Sequence, residues 1–218
     1  IAYTSVNHMG YMMMGIAAAM ALAPPELRGA QKLALLGAEW QMITHGIVTG
    51  GLFFAVGIVY DRMTHTRNLS DYGGLAAVVP QYDFYLRVLA FASLGLPGLA
   101  GFVSELMCFV GSWPVFKFLV SISVIGLIVT AAVMLWTVQR VLLGPLNPRW
   151  KDIKDMEPRE SWSLAPILAA TVILGIVPGW ALKVVRPVTD WTVGAMSAAP
   201  EPAISRGIPA AVPPADKD

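Results

Sequence analysis

The sequence predicts an all-α fold, a polytopic bundle of about five transmembrane helices. Three observations support this fold class. Hydrophobic residues make up 56% of the 218 residues and charged residues only 13%, whereas a soluble domain has about 25% charged residues. The hydrophobic residues are gathered in long segments, each near the ~20 residues that a membrane-spanning helix needs. Within these segments, no alternation of polar and apolar residues favours a β-strand over a helix.

Helix-breaking residues bound the apolar segments. A Pro-Pro pair at 24–25 ends the first segment, and a Pro-Gly pair at 178–179 interrupts the fifth, because proline cannot continue the hydrogen bonds of a helix. We expect the spanning helices at 6–22, 35–60, 84–111, 116–143 and 164–185. Residues 1–186 then form a transmembrane domain. The Pro/Ala-rich remainder, 187–218, is predicted to be a largely disordered tail because it cannot bury enough apolar surface.

The distribution of lysine and arginine predicts the orientation in the membrane. The connections around Arg62 and Lys151 hold more basic residues near the segment ends than the connections on the opposite side. Since basic loops are retained in the cytoplasm, these two connections are predicted to be cytoplasmic. The chain is then a multi-pass protein of the cell membrane, either an inner or a plasma membrane.

The third segment carries a predicted helix break with a carboxyl group beside it. Gly95, Pro97 and Gly98 lie in the run SLGLPGLAGFVSEL, and Glu105 follows in the same apolar segment. Irregular backbone at membrane depth is tolerated only where it is buried in protein or faces a water-filled cavity, and a charged carboxyl there costs at least ~2.5–3.5 kcal/mol. Broken helices beside ionisable groups occur in ion transporters. Glu105 is therefore the leading candidate for a proton carrier; the alternative is a glutamate that snorkels to the interface or is satisfied in a packed core.

Two histidines are further candidates for a proton path. His45 lies within the second segment, in EWQMITHGIVTGG, and His8 lies at the start of the first, near the predicted cytoplasmic side. Histidine titrates near neutral pH and both ring nitrogens can relay a proton, but a lone histidine on a helix is also common as hydrogen-bonded packing. Gln41 lies four residues before His45 and on the same helical face, which predicts a polar stripe. Glu39 is either interfacial or an additional titratable group.

Composition and motifs exclude several other classes. A formal net charge of +1 provides no basic surface for nucleic acid. The single cysteine, Cys108, excludes an internal disulfide and a cysteine-based metal site. There is no glycine-rich phosphate loop and no metal-ligand pattern. We therefore expect the chain itself to bind no NADH, flavin, iron–sulfur cluster or metal ion.

Several stretches of the chain resemble a known family of membrane subunits. IAYTSVNHMGYMMMGI, GAEWQMITHGIVTGGLFF, YDRMTHTRNLSDYGGLA and FASLGLPGLAGFVSELM are similar, in this order and spacing, to the C-terminal part of the M-type (chain 4) antiporter-like subunit of respiratory complex I, NADH-quinone oxidoreductase. The later runs VQRVLLGPLN and RESWSLAPI look like the same family. The resemblance covers about residues 1–185.

The resemblance implies a fold and a role for the candidate residues. The family fold has fourteen transmembrane helices with two inverted repeats, so we expect this chain to be its last five helices, either as a fragment or as one half of a split subunit. In the family, the broken twelfth helix carries the residue that ends the proton path. In the M-type this residue is a glutamate, matched here by Glu105, whereas the L-type and N-type sister subunits carry lysine. His8 and His45 match two family histidines that belong to the connecting polar chain.

The implied function is part of a proton translocation that is coupled to electron transport. The chain would be a translocase subunit without redox chemistry of its own, packed in the lipid bilayer against L-type and N-type neighbours and the nine missing N-terminal helices. NADH, FMN, iron–sulfur clusters and quinone would bind to partner subunits. Glu39 and Trp40 stand where the family usually has apolar residues, and the connection at 23–37 looks longer than usual. Two alternatives stay open: a cation/proton antiporter or membrane-bound hydrogenase subunit of the same family, and a non-transporting membrane scaffold fragment.

Overall fold

Seven α-helices make up most of the computed structural model, which describes residues 1–198. No residue of this range lies in a β-strand. The helices are α1 (Thr4–Met20), α2 (Arg28–Ile58), α3 (Pro80–Ser93), α4 (Ala100–Ser112), α5 (Lys117–Leu142), α6 (Pro158–Ile176) and α7 (Gly179–Ala198). Short 3₁₀ and π turns lie in several of the connections between them. The predicted all-α membrane bundle is confirmed.

By length and hydropathy, α2 and α5 can each cross a membrane. The helical run that contains α2 extends over Pro25–Arg62, 38 residues, and α5 has 26 residues. The pair α6 and α7 is bent by 75° and gives a third span only if its two helices are counted together. α1 has 17 residues, and α3 and α4 are the two halves of the broken third segment. Within residues 1–198, length and composition alone identify two spans, or three when the bent pair counts as one.

α2 begins earlier than the sequence predicted. A 3₁₀ turn at Pro25–Leu27 leads directly into α2. The connection between the first two helices is therefore shorter than the sequence predicted. The side chain of Gln31 donates hydrogen bonds to the carbonyl oxygens of Ala18 and Ala21, at 3.2 and 2.7 Å. These carbonyls lie at the end of α1, where the helix supplies no partner of its own. The Gln31 side chain thus donates hydrogen bonds to the last carbonyl groups of α1 and holds α1 and α2 together as a hairpin.

The break between α3 and α4 covers residues 94–99 and contacts α6 at its C-terminal end. Gly95 and Gly98 have φ angles of +79° and +93°, a left-handed region that glycine adopts without steric cost. A Cβ atom placed on Gly175 of α6 would lie 2.4 Å from the carbonyl oxygen of Gly98. The backbone of α6 therefore contacts the break directly. The predicted interruption is confirmed; α6 contacts one end of it, while residues 96–98 are exposed.

Glycines bring α2 and α4 into backbone contact. A Cβ atom on Gly37 would lie 2.5 Å from the backbone nitrogen of Cys108, and one on Gly111 would lie 2.3 Å from the backbone nitrogen of Ala34. Small residues at helix interfaces allow such close approach in membrane proteins. This packing holds the last turns of α4 against the N-terminal third of α2.

α7 extends past the predicted end of the membrane domain. The helix occupies Gly179–Ala198. Leu182 packs with Trp40 of α2, and the buried Val193 packs with residues of α1 and α2. The first part of the predicted tail is therefore helical and not disordered, because it buries apolar side chains that its Pro/Ala-rich composition did not reveal. The rest of the predicted tail, 199–218, lies outside the described residues.

Candidate proton-transfer site

Glu105 lies in α4 just after the helix break, and its carboxylate reaches back to that break. The residue is 4% exposed. A Cβ atom on Gly95 would lie only 2.5 Å from Oε2 of Glu105, so a residue with a side chain at position 95 would displace the carboxylate. The absence of a side chain at Gly95 thus permits the left-handed turn of the break and leaves room for the carboxylate of Glu105.

His8 of α1 is the ion-pair partner of this carboxylate. Its Nδ1 atom lies 3.1 Å from Oε1 of Glu105, and His8 is 3% exposed. In residues 1–198 no lysine or arginine forms an ion pair with Glu105. The two sequence candidates therefore contact each other although they are far apart in the chain. His8 also faces Gln41 of α2.

His45 of α2 stands next to His8 and extends the polar contacts away from Glu105. The centroids of the two imidazole rings are 5.0 Å apart. His45 Nε2 lies 3.1 Å from the hydroxyl of Ser5, and its Nδ1 lies 3.1 Å from the hydroxyl of Thr49. Half-buried His45 thus connects the buried pair to two hydroxyl groups. We call Ser5, Thr49, His45, His8 and Glu105 the polar line.

Gln41 joins this site in a way that the sequence did not predict. The predicted polar stripe paired it with His45, but its amide nitrogen lies 3.3 Å from Nδ1 of His8. Gln41 is 2% exposed. The helical spacing placed Gln41 and His45 on one face of α2, and only the position of α1 decides which histidine the amide contacts.

Three hydroxyl residues of the site were missed at the sequence level. Thr49 follows His45 by four residues on α2, a spacing that could have identified it. Thr44 and Ser104 join α2 to α4 through a hydroxyl pair at 3.0 Å. Ser104 precedes Glu105 in the chain, but nothing in the sequence indicates that its hydroxyl contacts α2.

A small cavity of about 10 Å³ lies among these side chains. His8, Gln41, His45, Ser93 and Glu105 are among the residues that line it. This volume is large enough for about one water molecule. His8 Nε2, Gln41 Oε1 and Ser93 Oγ are buried without a hydrogen-bond partner among the described residues, so the site contains polar atoms that are free to accept or donate. Such atoms next to two imidazoles and a carboxylate suit proton transfer.

Glu39 lies outside the polar line. Its carboxylate accepts a hydrogen bond from the hydroxyl of Thr189 on α7. Two turns earlier on α2, the ammonium group of Lys32 lies 2.7 Å from the carboxylate of Asp190, which is also on α7. Glu39 therefore faces α7, and it contacts neither histidine of the polar line. No cluster of three or more His, Cys, Asp or Glu side chains that could hold a metal occurs within residues 1–198.

Comparisons with known proteins give a consistent result. Residues 1–134 match the family model described as NADH:quinone oxidoreductase/Mrp antiporter, TM. The chain is 39% identical over 188 residues to NADH-quinone oxidoreductase subunit M of Rhodobacter capsulatus, covering 86% of this chain and 34% of that protein. It is 34% identical over 223 residues to NAD(P)H-quinone oxidoreductase chain 4 of Gloeobacter violaceus, covering 95% and 40%. The chain thus spans between a third and two-fifths of the length of these relatives.

A solved structure has the same fold. A chain of respiratory complex I from Thermus thermophilus with bound NADH superimposes with a TM-score of 0.78 and 25% sequence identity, covering 89% of this chain and 38% of that one.

Proposed function

Since the chain belongs to the NADH:quinone oxidoreductase/Mrp antiporter transmembrane family, we propose that it is the C-terminal part of a proton-translocating M-type subunit of an NADH:quinone oxidoreductase. The observation that carries this proposal is the buried contact of 3.1 Å between His8 and Glu105 beside the helix break. The names of the relatives support the same assignment. The glutamate at position 105, where the L-type and N-type sisters carry lysine, favours the M-type.

The charge balance of the pair explains how it carries a proton. A protonated His8 beside an ionised Glu105 and a neutral His8 beside a protonated Glu105 have the same net charge. Moving a proton inside the pair therefore avoids the cost of an isolated charge in a low-dielectric interior. A second proton, which enters through His45, would leave the pair positively charged and would drive one proton onward. The pair thus passes protons one at a time.

The remaining parts of the pump lie in other segments. The nine further family helices supply the internal lysine that exchanges protons with this site. Redox energy arrives from partner subunits that hold NADH, FMN, iron–sulfur clusters and quinone, as a change in the electric field along the ionisable groups. The L-type and N-type subunits are the proposed neighbours, in a cell or inner membrane. The chain itself performs no redox step.

The test is Glu105→Gln in the complete subunit within the assembled complex. We expect the rate of NADH-driven proton translocation to fall by at least about tenfold for this path, because a positioned proton carrier contributes that much or more. Assembly should be preserved because glutamine has nearly the same shape. Proton uptake into sealed vesicles measures the rate, and native electrophoresis measures assembly.

Glu39→Gln is the matched control, since it makes the same change to a carboxyl that faces α7. This variant should translocate protons at the wild-type rate. Undiminished translocation in Glu105→Gln, or an equal loss in both variants, would contradict the proposed function.

A further inference from the structure

One ring nitrogen of His8 has two competing partners. Nδ1 lies 3.1 Å from Oε1 of Glu105 and 3.3 Å from the amide nitrogen of Gln41. A ring nitrogen of imidazole offers either one N–H or one lone pair in the ring plane, and never both. A carboxylate oxygen requires the N–H, whereas an amide N–H requires the lone pair. The two contacts therefore belong to two different proton positions.

From this competition, and resting on the proposed function, we infer that Gln41 is a positioning residue that stabilises His8 after it has passed its proton to Glu105. Gln41 lies on α2, His8 on α1 and Glu105 on α4, so the three helices that form the site each supply one member. All three side chains are at most 4% exposed. Bulk water therefore cannot replace the amide as the partner of Nδ1.

The proton steps balance without any further reactant. At the start, Nδ1–H of protonated His8, whose other proton has come to Nε2 from the His45 side, faces the ionised Glu105. The Nδ1 proton then moves to Oε1 of Glu105. His8 is then neutral again, with its proton on Nε2 and a lone pair on Nδ1, and the Gln41 amide donates to that lone pair. This hydrogen bond opposes the return of the proton from Glu105.

Two further features lie at the site of this exchange of partners. Nε2 of His8, where the incoming proton binds, is buried without a hydrogen-bond partner among the described residues. Gly95 has no side chain, so Oε2 of Glu105 can lie beside the helix break, where any Cβ atom would collide with it.

The experiment compares Gln41→Met with Gln31→Met in the complete subunit within the assembled complex. Methionine keeps the approximate volume of glutamine and removes its N–H donor. Gln31 is the matched control because it is also buried on α2 and bonded to α1, but its partners are backbone carbonyls at the end of α1. The readout is the infrared C=O band of protonated Glu105, assigned by its disappearance in Glu105→Gln.

We expect Gln41→Met to reduce this band by about fivefold, the factor that corresponds to one ordinary hydrogen bond. Gln31→Met should leave the band at the wild-type intensity, although it lowers the thermal stability of the complex. An unchanged band in Gln41→Met overturns the inference. An equal reduction in both variants also overturns it, because the effect would then be one of packing.

A second variant covers the case in which Gln41→Met does not assemble. Gln41→Asn retains the amide and withdraws its donor by one methylene group, and it should reduce the band at least about twofold. An unchanged band in this variant overturns the inference. The proposed function is tested separately, by proton translocation in Glu105→Gln. That result does not depend on the intensity of the infrared band in the Gln41 variants.

Discussion

Two polar regions of the molecule are built on opposite principles. In the polar line, one carboxylate contacts His8, and the neighbouring His45 contacts two hydroxyl groups. At the other end of α2, Arg62 contacts Glu160 and the backbone of Asp155. We call these three residues the end cluster. The guanidinium group of Arg62 lies 2.7 Å from the carboxylate of Glu160 and donates to the carbonyl oxygen of Asp155 at 2.9 Å. The Asp155 carboxylate accepts from the backbone N–H groups of Gln81 and Tyr82 at the start of α3.

The difference lies in whether the charges and hydrogen bonds can change. Arginine stays protonated at all relevant pH values, and a carboxylate that caps a helix has fixed donors, so the end cluster holds α2, α3 and α6 in one arrangement. The polar line has no permanent cation among the described residues, and its ring nitrogens exchange donor and acceptor roles with each proton. Fixed pairs thus hold the helices together, while exchangeable pairs are suited to carry protons.

The largest effect on transport is expected for Gly95→Ala in the assembled complex. The new Cβ atom would lie 2.5 Å from Oε2 of Glu105 and would push the carboxylate away from His8. Proton translocation should fall by about tenfold or more, since displacements near 1 Å are that costly at a reactive site. Sealed-vesicle proton uptake measures the effect.

Gly98→Ala is the control for this prediction. Gly98 has a similar left-handed φ of +93°, and a Cβ atom there would meet nothing within 4 Å. It should therefore cost only the backbone strain, about 1–3 kcal/mol of stability, and leave translocation per assembled complex intact. Equal loss of transport in both variants would show that the break, and not the carboxylate position, limits the rate.

A smaller effect on transport is expected for Thr49→Val, which removes a hydroxyl from the polar line without changing the side-chain shape. His45 would lose a partner that lies 3.1 Å from its Nδ1. Proton translocation should fall by about fivefold, as expected for the loss of one hydrogen bond. Thr137→Val makes the same change on α5, where the hydroxyl donates only to its own helix, and it should have no effect. A wild-type rate in Thr49→Val would remove Thr49 from the polar line.

The end cluster should respond in the opposite way. Asp155→Ala removes the acceptor for the first N–H groups of α3 and should destabilise the protein by about 1–2 kcal/mol. Translocation per assembled complex should stay the same. Thermal unfolding measures the loss, with Asp152→Ala as the control in the same loop, where the side chain is exposed. Reduced transport at unchanged stability would mean that the end cluster takes part in proton movement.

Local patterns identified much of the candidate site. The Gly/Pro run predicted the break, and Glu105 follows it within a few residues, so their proximity is set by the chain itself. Gln41, His45 and Thr49 share a face of α2 because they are four residues apart. The helix at the start of the predicted tail was not identified at this level, since Val193 is buried only through the packing of α7 on other helices.

The sequence by itself determined the helical class, the position of the break and the identity of the titratable residues that we propose as proton carriers. These properties depend on hydropathy and on neighbours within one or two helical turns. The tertiary structure decided that His8 and not His45 contacts Glu105, that Gln41 shares the same ring nitrogen, and that Glu39 faces α7. These contacts join different helices, α1 with α4, α1 with α2 and α2 with α7. Helical periodicity gives the face of each helix but not which helix lies against that face.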